Sequence, residues 1–421
     1  MSAAASSAPD TELTIPVHLA EDLADSSPAV RDSRTAIREV RIPALAKLPA
    51  GPEFKCPPAF YLEASDENRV RRLFRNGPYA LAAGFIRGDF GVAGDLVDAV
   101  RRLRVVSGSG LTSGLLSFAG RFQTWRLERV LQSHRRAAGN VRFHYDRSND
   151  FYRQFLDKRL VYSCAYFRDR SLSLDEAQLA KLEHICRKLD LRPGERFLDV
   201  GCGWGSLVFH AAARHGVRAS GCTLSKQQYE HASLERRARG IEKAVRLYHS
   251  DYRKIGGTFD KIASIGMFEH VGRRRLRGYF ERMASLLADG GLFLNHGIVR
   301  PQRVEDDVES LILRRYVFPG GELVHLSDVI REAENAGFEV LVVENLRPHY
   351  ALTCRAWVER LQRNEEACLR TADGPTYRTW LLFLAASADC FEQGQTDVQQ
   401  VLLAKRSNPS GRRLSREHMY S

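Results

Sequence analysis

The sequence predicts an α/β protein: a doubly wound, mainly parallel sheet covered by helices and joined to a small N-terminal domain. Three observations predict it. From about residue 140, apolar runs of strand length alternate with segments of helical spacing. A glycine-rich loop, Gly201-Cys202-Gly203-Trp204-Gly205, follows one of those strands and opens a helix. A chain of 421 residues also exceeds what one ordinary core organises, so two domains are expected.

Residues 1–50 are rich in Ala, Ser, Asp and Pro without a sustained period, and read as a mostly disordered extension. A small domain and its linker are expected over 51–128. There PPAFYLEA reads as a strand, residues 68–85 as a helix followed by a turn, and GDFGVAGDLVDAVRRLR as a strand or turn entering a helix. VSGSGLTSG (106–114) reads as a linker, followed by a basic helical segment to about His134.

The larger domain is expected over 129–408. Ser173 and Glu176 form a capping box before a helix on which Leu179, Leu182, Ile185 and Leu189 recur at helical spacing. ERFLDV is a strand leading into the glycine loop, and SLVFHAAARHG is a helix closed by Gly216. VRASGCTL and VRLYHS are strands on either side of a helix over 226–239. FDKIASIGMF and GGLFLNHGIV are strands separated by the helix RRRLRGYFERMASLLADG, and FEVLVVENL and VQQVLLAKR add two more. Residues 409–421 read as a basic tail.

Composition narrows the function. Hydrophobic residues at 44% and charged residues at 27% describe a globular, water-soluble chain. No window holds the roughly 18 uncharged apolar residues of a membrane span, and the N-terminus lacks the features of a secretion signal. The eight cysteines form no CxxC pair, so no structural zinc and no disulfide framework are expected, which fits a reducing cytoplasm; the neighbouring Glu269 and His270 lack a third ligand at sensible spacing, so no other metal is expected. A net charge of +12 implies attraction to something anionic: nucleic acid, a membrane surface or a phosphorylated substrate. The basic runs lie at Arg101–Arg104, His134–Arg142, Arg273–Arg277 and Arg412–Arg416, and each reads equally well as a solvated face.

The glycine loop discriminates between cofactors. A dinucleotide site expects GxGxxG and an acid about 20 residues on, whereas this chain has GxGxG and a following strand ending in Thr223-Leu224-Ser225. The GK[ST] of a phosphate-binding loop is absent. Asp199 ahead of GxGxG suits S-adenosylmethionine, which has no pyrophosphate to cradle. The expectation is a Rossmann-like class I methyltransferase sheet.

Further motifs occur in a fixed order: HYDRSNDFYRQFLD (144–157), VYSCAYF (161–167), LDVGCGWGSL (198–207), TLSKQQ (223–228), SDYR (250–253), SIGMFEHVG (264–272) and FPGGEL (318–323). This set resembles the cyclopropane-fatty-acyl-phospholipid synthase family, which includes the mycolic acid cyclopropane synthases. The resemblance runs from about residue 50 to 406 and is strongest over 140–360. It implies transfer of the S-adenosylmethionine methyl group to a cis double bond of a phospholipid acyl chain. Bicarbonate would then assist loss of a proton and closure of a cyclopropane ring.

The resemblance implies a catalytic set of Cys164, Glu269, His296, Ile298 (through its backbone) and Tyr350, the last expected in a loop ahead of a helix. It places Tyr162 and Ser163 near the methionine part of the cofactor, and Asp199, Gly201, Cys202 and Gly203 along the loop. Thr223, Leu224, Ser225 and Gln228 fall near the ribose, and Asp251 and Tyr252 near the adenine. His144, Tyr145 and Asp146 would order a lid. The resemblance further implies a lipid-handling role for the small domain and a phospholipid membrane surface as partner. The protein is then expected in the cytoplasm, peripherally associated with the membrane; a homodimer is left open and nucleic acid is not expected.

Two other acceptors stay open: a fatty acyl chain methylated without ring closure, and a small-molecule amine. A nucleic-acid binder of this fold is a further alternative, but the chain lacks an aromatic-interleaved basic array. The chain departs from the family at Arg147-Ser148, at Asn295 beside His296, and at Ser387, where the family carries a Cys; Cys390 instead adjoins Phe391.

Overall fold

The computed structural model describes residues 15–19, 38–40, 60–108, 148–301, 322–406 and 413–420, with 15–19, 38–40 and 104–108 described as backbone alone. Two compact units emerge: residues 1–120 with 372–389, and residues 121–371 with 390–421. The grouping of 372–389 with the first unit differs from the boundary expected at residue 128. His144, Tyr145, Asp146, most of FPGGEL and the run at 134–142 lie outside the described residues.

The first unit carries β1 (Ile15–Leu19), β2 (Arg38–Val40), β3 (Phe60–Ala64) and β4 (Gly91–Gly94) in the order β2-β1-β3-β4. Two of these strands, residues 15–19 and 38–40, fall within the stretch 1–50 read as a mostly disordered extension. Their pairing is partly non-local: β1 pairs with β2 and also with β3, where Val17 lies opposite Leu62. The single helix expected over 68–85 is two, Glu67–Arg75 and Pro78–Arg87. Gly77 adopts φ +87°, which a β-carbon would strain, and Pro78 cannot donate into the preceding turn, so the chain breaks there. The helix Leu96–Gly108 takes the first residues of the expected linker. Phe60, Leu62, Val70, Phe74, Phe85 and Val97 fill this unit's core.

The second unit contains β5 (Arg196–Val200), β6 (Arg218–Thr223), β7 (Val245–His249), β8 (Phe259–Ile265), β9 (Leu287–Val299), β10 (Phe338–Asn345) and β11 (Asp397–Lys405). Their order is β10-β11-β9-β8-β5-β6-β7. The pairs among β5 to β9 are parallel, and β11 enters antiparallel between β9 and β10. The chain winds outward from β5 through β6 and β7, then resumes at β8 on the other side. The switch point therefore lies between β5 and β8, where sheets of this kind bind ligands at the strands' carboxyl ends. Alternate residues of β9 serve opposite layers: Phe293 packs with Tyr279, Phe280, Met283 and Phe338, whereas Leu294 packs with Leu182, Ile185 and Val208.

The capping box forms as expected: Ser173 Oγ accepts from Glu176 N, and Glu176 Oε2 accepts from Ser173 N. The buried face of its helix, Leu174–Lys188, differs from the one expected. Leu179 is 38% exposed, while Gln178, Lys181, His184 and Lys188 are buried. The described part of the basic tail is docked. Met419 is buried, its carbonyl meets His184 Nδ1 at 3.1 Å, and Arg413 pairs with Asp190 at 3.1 Å. Arginines of other basic runs likewise find carboxylates: Arg101 meets Asp389, Arg273 meets Asp328, and Arg277 meets Glu281. Among the described residues, no helix is long and apolar enough to cross a membrane.

Candidate active site

The glycine loop is held to the sheet by backbone bonds. Gly201 N and Cys202 N both donate to the Cys222 carbonyl at 3.0 Å. This approach needs Gly221 on β6, since a β-carbon there would lie 2.8 Å from Cys202 Cβ. Gly201 and Gly203 have φ of +84° and +54°, and a β-carbon on Gly203 would meet no protein atom within 4 Å. Trp204 fixes the far side, donating from Nε1 to Asn149 Oδ1 at 2.8 Å.

Above this loop a cleft is lined by Tyr162, Ser163, Asp199, Gly201, Cys202, Gly203, Thr223, Leu224, Gln228, Asp251 and Tyr252. These segments, distant in sequence, meet at the switch point. Ser225 does not line the cleft. It is buried and caps the helix Lys226–Ala238, accepting from Gln228 N at 3.3 Å. Thr223 Oγ1 donates to Gln228 Oε1 at 2.7 Å, which fixes the amide at the rim. Asp251 caps the short turn Tyr252–Lys254 as well as facing the cleft. Burial would raise its carboxyl, but hydrogen bonds from Arg253 prevail and hold it below the ordinary carboxylate range.

Asp199 is buried with Oδ1 unpartnered, and burial pushes its carboxyl up to about 7 against the pull of Lys181. Lys181 donates to Ser163 Oγ at 2.9 Å, and burial lowers its ammonium to about 8. Lys181 lines the cleft, yet it was not foreseen as a site residue. A signal was present: Leu174, Gln178, Lys181, Ile185 and Lys188 repeat at helical spacing, so two lysines stand on the buried stripe. These groups fit S-adenosylmethionine: open space over Gly203, an unpartnered acid at Asp199, and fixed polar groups at the opposite rim.

The expected catalytic residues lie outside the cleft lining; Glu269 and Ile298 are hydrogen-bonded to each other, while Cys164 and Tyr350 converge on one backbone carbonyl. Glu269 sits in the turn Phe268–His270 after β8, and its Oε1 accepts from Ile298 N on β9 at 2.7 Å. Its Oε2 is enclosed without a partner, and burial pushes the carboxyl up to about 7. Cys164 Sγ lies 3.2 Å from the Ala165 carbonyl and 3.8 Å from the Leu346 carbonyl, and Tyr350 N donates to the Leu346 carbonyl at 3.1 Å. Tyr350 lies in the first turn of the helix Arg347–Arg363, which corrects its expected loop position, and stacks on Phe391 at 4.6 Å. Burial raises the Cys164 thiol well above its usual range, so it is a neutral donor there.

His296 is buried two residues before Ile298 on β9, so the two side chains share a face. Its Nδ1 meets Gln400 Nε2 at 3.0 Å, its Nε2 has no partner, and burial pulls its basicity well below the usual value. His270, rather than Glu269, lines the cofactor cleft, with Met267 and Arg275. The departure at Asn295 has a structural reason: Tyr279 donates to its Oδ1 at 2.8 Å, satisfying a buried amide where the family is apolar. Cys390 is buried in the helix Gly374–Glu392.

Comparisons with known proteins agree with this geometry. The family described as mycolic acid cyclopropane synthetase matches residues 132–401. The chain is 36% identical to a "Probable fatty acid methyltransferase" of Pseudomonas putida over 88% of this chain and 94% of that protein. It is 37% identical to "Cyclopropane mycolic acid synthase 3" of Mycobacterium tuberculosis over 63% of this chain and 97% of that one. The solved structure of mycolic acid cyclopropane synthase CmaA1 with SAH and CTAB superposes with a TM-score of 0.62 at 34% identity, covering 65% of this chain and 99% of that one. Glycine loop, cleft and matches together place this chain in the mycolic acid cyclopropane synthetase family, as an S-adenosylmethionine-dependent methyltransferase.

Proposed function

We propose that the protein methylates a cis double bond in an unsaturated acyl chain of a membrane phospholipid and yields a cyclopropane. The observation that carries this reading is that two enclosed polar atoms outside the cofactor cleft, Glu269 Oε2 and His296 Nε2, each lack a partner. A buried polar group left without a hydrogen bond costs roughly 1–3 kcal/mol, so we assign both atoms to a small ligand. Bicarbonate would suit these groups, offering an acidic hydrogen to a carboxylate and oxygen acceptors to an imidazole N–H.

When bound, S-adenosylmethionine supplies an electrophilic methyl group. The alkene forms a bond to that carbon as the carbon–sulfur bond breaks, leaving positive charge on the neighbouring acyl carbon. Closing the ring requires loss of a proton from the transferred methyl, and a bicarbonate held by these residues would supply the base. Glu269 and His296 would hold and orient it, while the buried, neutral Cys164 keeps a strong nucleophile away from the cation. The protein is proposed to work in the cytoplasm at the membrane surface, where its exposed basic residues meet anionic lipid at about 1 kcal/mol each.

A second reading has its own support. The Pseudomonas relative named a fatty acid methyltransferase matches along 88% of this chain, so a methyl-branched product follows if the proton is lost elsewhere after a hydride shift. One experiment tests both. Incubation with labelled S-adenosylmethionine and liposomes of unsaturated phospholipid should add one CH2 unit per modified acyl chain, detected by mass spectrometry. A saturated ring that withstands mild hydrogenation supports the first reading, and a reducible methyl-alkene supports the second. Label transferred to soluble amines and not to lipid would defeat both.

A further inference from the structure

We infer that Gln400 is a positioning residue that holds His296 in its Nε2–H tautomer, under the control of a buried Glu344–Lys188 ion pair. The register places Gln400 on β11 directly opposite His296 on β9. Lys188, on the helix Leu174–Lys188, is fully enclosed; its Nζ contacts Glu344 Oε2 and donates to Gln400 Oε1 at 2.6 Å. An ammonium has donors only, so the Gln400 carbonyl oxygen must face Lys188. The Gln400 NH2 then faces the other way, to His296 Nδ1 at 3.0 Å, and an amide NH2 can only donate. Nδ1 is therefore the acceptor, and the ring proton resides on Nε2, the buried atom that has no partner.

The use of glutamine has a physical reason. A carboxylate touching the imidazole would favour the imidazolium, whereas a neutral amide sets the tautomer and leaves the ring uncharged. The carboxylate at the end of this chain of contacts, Glu344, is two links away and is shared by Lys188 and by His184 at 2.9 Å. Its carboxyl stays at about 2, where burial would raise it and hydrogen bonds from His184 and Lys188 prevail. The Gln400 amide is thereby kept from flipping. With the opposite orientation His296 would present a lone pair where the proposed bicarbonate needs a donor, so the functional consequence rests on that reading.

The test is made on the full chain labelled with 15N-histidine, using long-range proton–nitrogen correlation to read both ring nitrogens of His296. Loss of one resonance pair in His296→Asn assigns the signal. Expected is the neutral Nε2–H pattern, constant from about pH 5.5 to 8; an Nδ1–H or imidazolium pattern in the unmodified protein overturns the inference, whether or not any variant folds. In Gln400→Glu, a carboxylate can accept from both Lys188 and the ring, so a proton should appear on Nδ1; an unchanged pattern in the folded variant also overturns it. Methyl transfer by that variant should fall about tenfold, with S-adenosylmethionine affinity unchanged and more bicarbonate needed for half-maximal rate. If the tautomer behaves as expected but no variant responds to bicarbonate, the relay stands and the bicarbonate reading falls.

Discussion

The cofactor cleft and the acceptor side of the site are built on different principles. The cleft rests on backbone: glycines at positive φ, paired amides on the Cys222 carbonyl, and helix caps such as Ser225. The acceptor side rests on buried side chains from distant segments, with Glu269 on Ile298, Cys164 near the Leu346 carbonyl and His296 on Gln400. A backbone site tolerates many side chains but no added bulk. A side-chain network tolerates little chemical change even where shape is kept.

The largest expected effect breaks the first half of that contrast. Gly203→Val should abolish measurable S-adenosylmethionine binding while the protein stays folded, because its side chain would occupy the open space beside the loop at an unfavourable φ. Isothermal titration beside a thermal melt checks it; unchanged affinity would remove the loop from the cofactor site.

Glu269→Gln probes the second half. Gln can still accept from Ile298 N, but it places an NH2 where Oε2 now offers a lone pair. A roughly 10- to 100-fold fall in methyl transfer is expected, with cofactor affinity little changed and partial rescue by added bicarbonate. Lower melting temperature with normal turnover per folded molecule would make Glu269 a structural carboxylate instead.

Asp199 sharpens the contrast because it is a buried charge within the backbone-built half. Its folded carboxyl titrates at about 7 against an ordinary 3.8. Between those values the folded protein retains a proton that the unfolded chain has lost. Raising the pH therefore lowers stability, and the loss is complete above about pH 7. In the cofactor-free protein, Asp199→Asn should gain on the parent by a few degrees of melting temperature between pH 5 and 8. Parallel melting curves would show that Asp199 ionises freely in the fold.

The smallest effect concerns Tyr279, which packs beneath the sheet and satisfies Asn295. Tyr279→Phe should cost about 1–3 kcal/mol of stability and leave turnover per folded molecule within about twofold. A loss of turnover matching that of Glu269→Gln would extend the catalytic network through Asn295.

Sequence alone determined the seven strands of the large sheet, the capping box at Ser173, the closing Gly216 and the cofactor loop, because local periodicity, caps and turn residues act within a few residues of chain. The ordered motifs also led to the cyclopropane synthase family. Tertiary structure alone decided what depends on partners far apart in sequence. It paired residues 15–19 with Phe60–Ala64, grouped 372–389 with the first unit and docked Met419 in a core. It turned Lys181 and Lys188 inward while leaving Leu179 exposed, since a helix fixes which residues share a face but only its neighbours determine which face is buried. It also set the orientation of Gln400, because an amide's direction is fixed by the groups that meet its two ends, here Lys188 and His296, brought together only by the closed sheet.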